Sequence, residues 1–174
     1  MPKLERLEWV LPISDGKGVT LTDNPEADQF LANDPNALLL GVMCDSQYQT
    51  RRAFAIPLLL KQRLGHFDIQ RIAGEPETVR AAFTSKPALH RFPNRCAELT
   101  IRLAGFIVER YGGDGSQVWL QASSSTELGA RLMELPAFGS QKTDWTVGML
   151  GRMGVLPYSD WDGFRVDTKV SKRK

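Results

Sequence analysis

The sequence has few residues of the types that bind transition metals, and it has no long apolar run. Two cysteines and two histidines occur among 174 residues. Two cysteines cannot hold a Cys₄ iron–sulfur cluster, and neither histidine stands at zinc-ligand spacing from a cysteine. No apolar run approaches the roughly 18 residues of a membrane span, and the first residues lack the apolar segment and cleavage site of a signal peptide. We therefore expect a cytoplasmic protein with no membrane partner, no iron–sulfur cluster and no required cofactor.

Both cysteines fall within apolar helical patterns. Cys44 ends the run A-L-L-L-G-V-M-C, and Cys96 lies near the start of a later amphipathic pattern. Free cysteine is among the most buried residue types, and thiols persist in reducing compartments. The two patterns predict buried thiols in a reducing compartment.

Basic charge is concentrated at the carboxyl end. The net charge is +2, yet residues 165–174 alone carry five lysines and arginines and a single aspartate. The rest of the chain is therefore slightly acidic, so bulk charge gives no indication of nucleic-acid binding. The basic tail 165–174 can contact phosphates electrostatically, but a solvated, disordered end is the interpretation we favour.

The pattern of apolar residues predicts an all-α protein with a small amino-terminal β-hairpin at residues 1–21, where alternating segments flank the turn S-D-G-K-G. From Asn24 onward, capping residues, prolines and apolar periodicity predict helices. These begin at residues 25 and 35 and continue at 46–64, 68–73, 76–84, 93–111, 124–134 and 140–152. Pro57 should kink its helix or mark a join. Residues 1–164 then form a single helical domain, either undivided or with two lobes around a groove.

The segment L-P-A-F-G-S-Q-K at residues 135–142 joins two predicted helices. Pro136 stops the first helix, and Gly139 is expected to supply a sharp turn that a residue with a Cβ resists. Leu135 and Phe138 can anchor the turn in the core. The next helix would then start with N–H groups that face outward and bind phosphate, helped by the helix dipole. The alternative is an ordinary tight turn that binds nothing.

Three stretches, in this order, resemble the helix-hairpin-helix family of base-excision repair DNA glycosylases, in particular its short stand-alone bacterial members. They are LLLGVMCDSQYQTRRAF at 38–54, RFPNRCAELTIRLAGFIVERYGG at 91–113, and LPAFGSQK at 135–142. The resemblance implies a mainly helical glycosylase-like fold and a partner in duplex DNA that carries a damaged or mismatched base. It also implies a monomer in the bacterial cytoplasm, associated with the nucleoid.

The resemblance implies roles for individual residues. Three backbone amides match those that hold a phosphate beside the damaged nucleotide, namely those of Ala137, Gly139 and Lys142. Three carbonyl oxygens match those that hold a monovalent cation, Na⁺ or K⁺, between hairpin and phosphate, namely those of Met133, Leu135 and Phe138. Gln47 matches the polar residue that enters the duplex where the base has been extruded. A solvent-facing position at a helix start is an equal alternative for Gln47.

The family's catalytic lysine is missing at its usual position. Members that nick the strand as well as release the base use a lysine amine as a Schiff-base nucleophile, two positions after the hairpin glycine. Here that position is Gln141, which cannot form an imine, so lyase activity is disfavoured. Lys142 would face the site only after a shift of register, because neighbours on a helix diverge by about 100°.

The catalytic carboxylate, which the family uses to stabilise charge at the sugar or to activate water, has several candidates. Asp160 has the family's spacing from Gln141, whereas Asp167 has its V-D-x-x-V context. Asp162 and Asp45 are further candidates, and polar loop residues without a catalytic role are the alternative. Three functions are compatible with the sequence: a monofunctional DNA glycosylase, a non-catalytic DNA-binding or damage-sensing protein, and a helical protein-interaction module.

Overall fold

The computed structural model describes residues 20–167, and within this range the chain is helical without β-strands. The all-α prediction is confirmed for this part of the chain, whereas the predicted hairpin strands and most of the basic tail lie outside it. The helices are α1 (Pro25–Asn33), α2 (Pro35–Cys44), α3 (Thr50–Leu64), α4 (Ile69–Gly74), α5 (Pro76–Thr84), α6 (Pro93–Tyr111), α7 (Gln117–Leu120), α8 (Ser125–Met133) and α9 (Ser140–Arg152). The described residues divide into two compact units, residues 20–116 with α1–α6 and residues 117–167 with α7–α9.

The first two helices begin as the sequence predicts, each with a capping residue followed by proline. The Asn24 side chain accepts a hydrogen bond from the Glu26 amide at 2.9 Å, and Asp34 accepts one from the Ala37 amide at 3.0 Å. Every residue of α2 from Ala37 to Cys44 is buried. This all-round apolar helix therefore forms the centre of the unit 20–116.

A glycine in α2 allows α3 to approach closely. A Cβ at Gly41 would lie 2.7 Å from a ring carbon of Phe54, a fully buried side chain of α3. Helices α4 and α5 pack against the long helix α6, which ends at Gly112 with a φ of 63°. The fully buried side chains of this unit include Leu39, Ile56, Leu60, Ile72, Phe83, Leu103 and Ile107.

Helix α3 begins one turn later than predicted. The expected start was Ser46, but residues 45–49 form a connection and the helix starts at Thr50. Gln47 has a φ of 50°, in the left-handed region, and a residue in that region interrupts helical hydrogen bonding. The prediction of one helix from residue 46 is therefore wrong. Pro57 lies within α3, which continues to Leu64 as a single helix, so Pro57 marks no join between two helices.

In the unit 117–167, the residues after α9 return over α8 and α9. Two glycines make room for aromatic rings: a Cβ at Gly129 would lie 2.8 Å from the Phe164 ring, and one at Gly151 would lie 2.0 Å from the Trp161 ring. Because this segment folds back, it brings Asp160 to the start of α8.

Candidate nucleic-acid interface

Helix α8, which leads into the hairpin, begins with side-chain hydrogen bonds to backbone amides. The hydroxyl group of Ser124, the N-cap residue, accepts a hydrogen bond from the Glu127 amide at 3.2 Å. The Glu127 carboxylate accepts hydrogen bonds from the Ser123 hydroxyl at 2.7 Å, from the Ser123 amide at 2.8 Å and from Arg131 at 3.0 Å. These hydrogen bonds, with those from Ser123 largest, lower the pKa of Glu127 to about 2. The glutamate is therefore ionised at neutral pH and holds the start of the helix.

The hairpin itself is a tight turn at residues 134–139, anchored by two apolar side chains. The Leu135 amide donates to the Leu132 carbonyl at 3.0 Å, and the Phe138 amide donates to the Leu135 carbonyl at 3.2 Å. The side chains of Leu135 and Phe138 are 2% and 4% exposed, whereas Ala137 and Gly139 are exposed to solvent. The predicted anchoring role of Leu135 and Phe138 is confirmed.

The unusual backbone conformation of the hairpin belongs to Ala137 and not to Gly139. Ala137 has a φ of 62°, which residues with a Cβ disfavour. Gly139 has φ −88° and ψ −175°, an extended conformation open to any residue, and a Cβ there would meet no atom within 4 Å. The prediction that the turn requires glycine at 139 is therefore wrong. The chain turns two residues earlier, and Gly139 serves as the N-cap residue of α9, where an extended backbone is usual.

Helix α9 begins after the exposed N-cap residue Gly139. Within the described part of the chain no side-chain hydrogen bond caps this helix, and both Gly139 and Gln141 are exposed. The first amides of a helix have no partner inside it, and the helix dipole adds partial positive charge there. The Lys142 ammonium donates to the Ala137 carbonyl at 3.3 Å, so a full positive charge lies beside the same turn. This combination suits an anion such as phosphate.

The carbonyl oxygens assigned to a monovalent cation lie at three places along the turn. Met133 is the last residue of α8, Leu135 lies within the turn, and Phe138 precedes the cap residue. The Leu135 carbonyl already accepts the Phe138 amide, which leaves it one lone pair. The cation site stays a prediction. Among residues 20–167, no group of three or more histidine, cysteine, aspartate or glutamate side chains is arranged to hold a metal ion.

Asp160, the candidate catalytic residue with the family's spacing, contacts the start of α8. Its Oδ1 accepts hydrogen bonds from the Ser125 hydroxyl at 2.8 Å and the Ser125 amide at 3.0 Å, and its Oδ2 lies 3.2 Å from the same amide. A carboxylate at a helix N-terminus is stabilised by the dipole. Asp160 therefore has a structural role, and its catalytic role stays a prediction. Asp162 and Asp167 are exposed in the segment after α9.

A buried carboxylate that the sequence analysis did not single out lies in α9. Asp144 is 7% exposed, and its Oδ1 accepts a hydrogen bond from the Val166 amide at 2.7 Å. It lies three residues after Gln141, on the same side of the helix. The sequence did offer one sign of this buried carboxylate: an acidic residue stands between Thr143 and Trp145, in a helix that is apolar further along. Its contact 22 residues away in sequence could not be read from the pattern.

Tyr158, two residues before Asp160, has a buried hydroxyl group. This oxygen has no hydrogen-bond partner among the described residues. Burial first, and then the negative charges of Asp160 and Glu127, raise the pKa of Tyr158 to about 12. The tyrosine is therefore neutral across the physiological range and contributes no charge to this end of α8.

Gln47 lies in the other unit, on the exposed connection between α2 and α3. His90 contacts this connection at Tyr48 and also contacts the end of α2 at Cys44. Tyr48 packs on His90 with 4.5 Å between ring centroids, and the His90 Nε2 atom lies 3.0 Å from the Cys44 carbonyl oxygen. Asp45, a further carboxylate candidate, accepts a hydrogen bond from the Thr50 hydroxyl at 3.1 Å. Gln47 is thus an exposed polar residue on a short anchored connection, and its entry into DNA stays a prediction.

Comparison of the chain with protein-family models, with curated proteins and with solved structures finds no match in any of the three. The family assignment therefore rests on the motifs alone. In residues 20–167 no helix has both the length and the apolar character required to cross a membrane.

Proposed function

We propose that this chain binds duplex DNA by holding one backbone phosphate at the α8–α9 hairpin, and that it is a monofunctional DNA glycosylase. The observation that carries the proposal is the exposed start of α9 at Gly139, which no side-chain hydrogen bond caps, with the Lys142 ammonium beside it. A helix start of this kind binds phosphate through backbone N–H groups.

Backbone recognition explains how a chain with a net charge of only +2 can bind DNA. Phosphate contacts position a protein on the duplex and need no base-specific side chain. The anchoring of Leu135 and Phe138 supports the proposal further, because a rigid turn loses little entropy when it binds.

The proposed chemistry is hydrolysis of the N-glycosidic bond of a damaged or mismatched base that has been flipped out of the duplex. A carboxylate would stabilise the positive charge that develops on the sugar, and Asp160, Asp167 and the buried Asp144 are the candidates. Gln141 would contact the base or the sugar, and it supplies no amine for strand nicking.

A second candidate function is supported by the contacts of Asp160. Because this carboxylate is engaged by Ser125 through the amide and the hydroxyl group, it stabilises α8 without any catalytic task. A protein that keeps the hairpin but uses its aspartates structurally would bind damaged DNA without cleaving the glycosidic bond.

The hairpin is tested by a matched pair of variants at one position. Gly139→Pro removes the backbone N–H, and the φ of −88° at this position lies near the range of proline. Gly139→Ala keeps the N–H and adds a methyl group into open space. We expect Gly139→Pro to weaken binding to an abasic-site duplex by about 10- to 100-fold, the value of one hydrogen bond to a charged group. Gly139→Ala should bind like the wild type. Equal binding by all three proteins contradicts the hairpin proposal.

Catalysis is tested on duplexes that carry uracil, 8-oxoguanine, alkylated bases or mismatches, followed by alkali to reveal abasic sites. A glycosylase releases at least one of these bases, whereas the second candidate binds abasic DNA and releases none. Asp160→Asn, Asp167→Asn and Asp144→Asn identify the carboxylate, with melting temperature measured in parallel. If Asp160 is only a cap, Asp160→Asn lowers the melting temperature and leaves the rate per folded molecule unchanged.

A further inference from the structure

The two cysteines of the chain meet in the core of the unit 20–116. Cys44 is the last residue of α2, Cys96 lies in the first turns of α6, and 52 residues separate them. Their Sγ atoms are 3.1 Å apart, both side chains are buried, and neither is in a disulfide. The sequence did not predict this pair, because the two cysteines are far apart along the chain and meet only when α2 packs against α6.

We propose that Cys44 and Cys96 form a reversible oxidation site, at which hydrogen peroxide converts the two thiols to an intramolecular disulfide. One thiolate attacks the O–O bond of peroxide, gains an oxygen as a sulfenic acid and releases hydroxide. The second sulfur then attacks the sulfenic sulfur, so that the S–S bond forms, the S–O bond breaks and water leaves. Two thiols are oxidised, one peroxide is reduced, and a small dithiol reverses the reaction.

Three features of the pair support this chemistry. An S–S bond is about 2.05 Å long, so the sulfur atoms need to approach by only about 1 Å. Cys44 is the last residue of its helix, so a small shift of its backbone involves the helix end and the contact of its carbonyl with His90 and leaves the helix interior in place. The chain has no third cysteine, so no other intramolecular pairing competes.

The burial of the site favours a small oxidant. Cys44 is 2% exposed and Cys96 is 4% exposed, which hinders a bulky disulfide such as oxidised glutathione more than peroxide. The resulting bond would join α6 to the end of α2, where the connection that carries Gln47 begins. Oxidation would therefore fix one end of that connection, whatever the connection binds.

The experiment treats the reduced full-length protein with graded hydrogen peroxide, quenches it in acid, and counts thiols after denaturation. We expect both thiols to disappear together, the intact mass to fall by two hydrogen atoms, and a reducing dithiol to restore both thiols and the original mass. A non-reducing gel should show a monomer.

Matched variants separate the pair from single reactive cysteines. Cys44→Ser and Cys96→Ser each keep one thiol, and neither should lose it reversibly at the peroxide concentration that oxidises the wild-type pair. Peroxide also oxidises methionine, of which the chain has five, so peptide fragmentation locates any added oxygen. The proposal is overturned if Cys44 or Cys96 itself gains oxygen atoms, if the disulfide links two chains, or if both thiols survive that treatment. These readings come from the wild-type protein, so a variant that folds poorly does not obscure them.

Discussion

The left-handed backbone of Ala137 makes a sharp prediction about the hairpin. Ala137 has a φ of 62°, and its side chain is exposed, so glycine at this position loses no buried contact. We expect Ala137→Gly to raise the stability of the protein, although glycine substitutions usually lower it. The change keeps the backbone N–H that the proposed phosphate contact requires.

The magnitude follows from two opposed effects. Relief of the left-handed conformation is worth about 1–2 kcal/mol for a residue with a Cβ. Glycine also gives the unfolded chain more freedom, which costs about 0.4–1 kcal/mol. The net gain therefore lies between about 0 and 1.6 kcal/mol, and a chain of this length then melts up to about 6 °C higher.

Thermal and urea unfolding followed by circular dichroism measure the effect, with two control variants. Ala130→Gly places the same substitution on the exposed surface of α8, where we expect a loss of about 1 kcal/mol. Gly139→Ala should cost up to about 1 kcal/mol, because glycine is favoured over alanine at an N-cap although the added methyl group meets no atom within 4 Å. If Ala137→Gly destabilises the protein as much as Ala130→Gly does, the turn is not built on a left-handed Ala137.

Three further predictions concern packing and charge. Glu127→Gln should lower the melting temperature at neutral pH. A carboxylate with a lowered pKa stabilises the folded state only while it is ionised. The difference in melting temperature between variant and wild type should therefore vanish as the pH falls from about 4.5 to about 2. Tyr158→Phe removes a hydroxyl group that lacks a hydrogen-bond partner within residues 20–167, so the stability at neutral pH should not fall. Because the pKa of Tyr158 is raised to about 12, the unfolded chain loses this proton more readily, and the wild type loses stability between about pH 10 and 12. The variant should lose less stability over that range. Gly41→Ala should cost about 1–3 kcal/mol in urea unfolding because its Cβ meets Phe54, whereas Gly74→Ala, in open space, should not.

Local sequence signals located the helices well because a helix start is decided within a few residues. Asn24 and Asp34, each followed by proline, accept hydrogen bonds from backbone amides two or three residues away. At the start of α8, Ser124 and Glu127 accept hydrogen bonds from amides three and four residues away. The start of α3 was predicted wrongly, because Gln47 adopts a left-handed conformation that is uncommon for glutamine.

The candidate site was predictable in outline and not in detail. The string L-P-A-F-G indicated a turn between two helices with Leu135 and Phe138 inward, and the structure agrees. The left-handed residue that reverses the chain is Ala137. Its identity depends on how the side chains of Leu135 and Phe138 enter the core. Spacing alone pointed to Asp160, whose contact with Ser125 spans 35 residues.

The sequence by itself thus determined the order and extent of the helices and the presence of a hairpin late in the chain, because these depend on hydrogen bonds and apolar periodicity within one or two turns. Only the tertiary structure decided that Cys44 meets Cys96, that Asp160 holds the start of α8, and that Asp144 is buried. Each of these depends on packing between segments that are distant in sequence. No local pattern records which distant segments will pack together, since many pairings of apolar faces bury similar area.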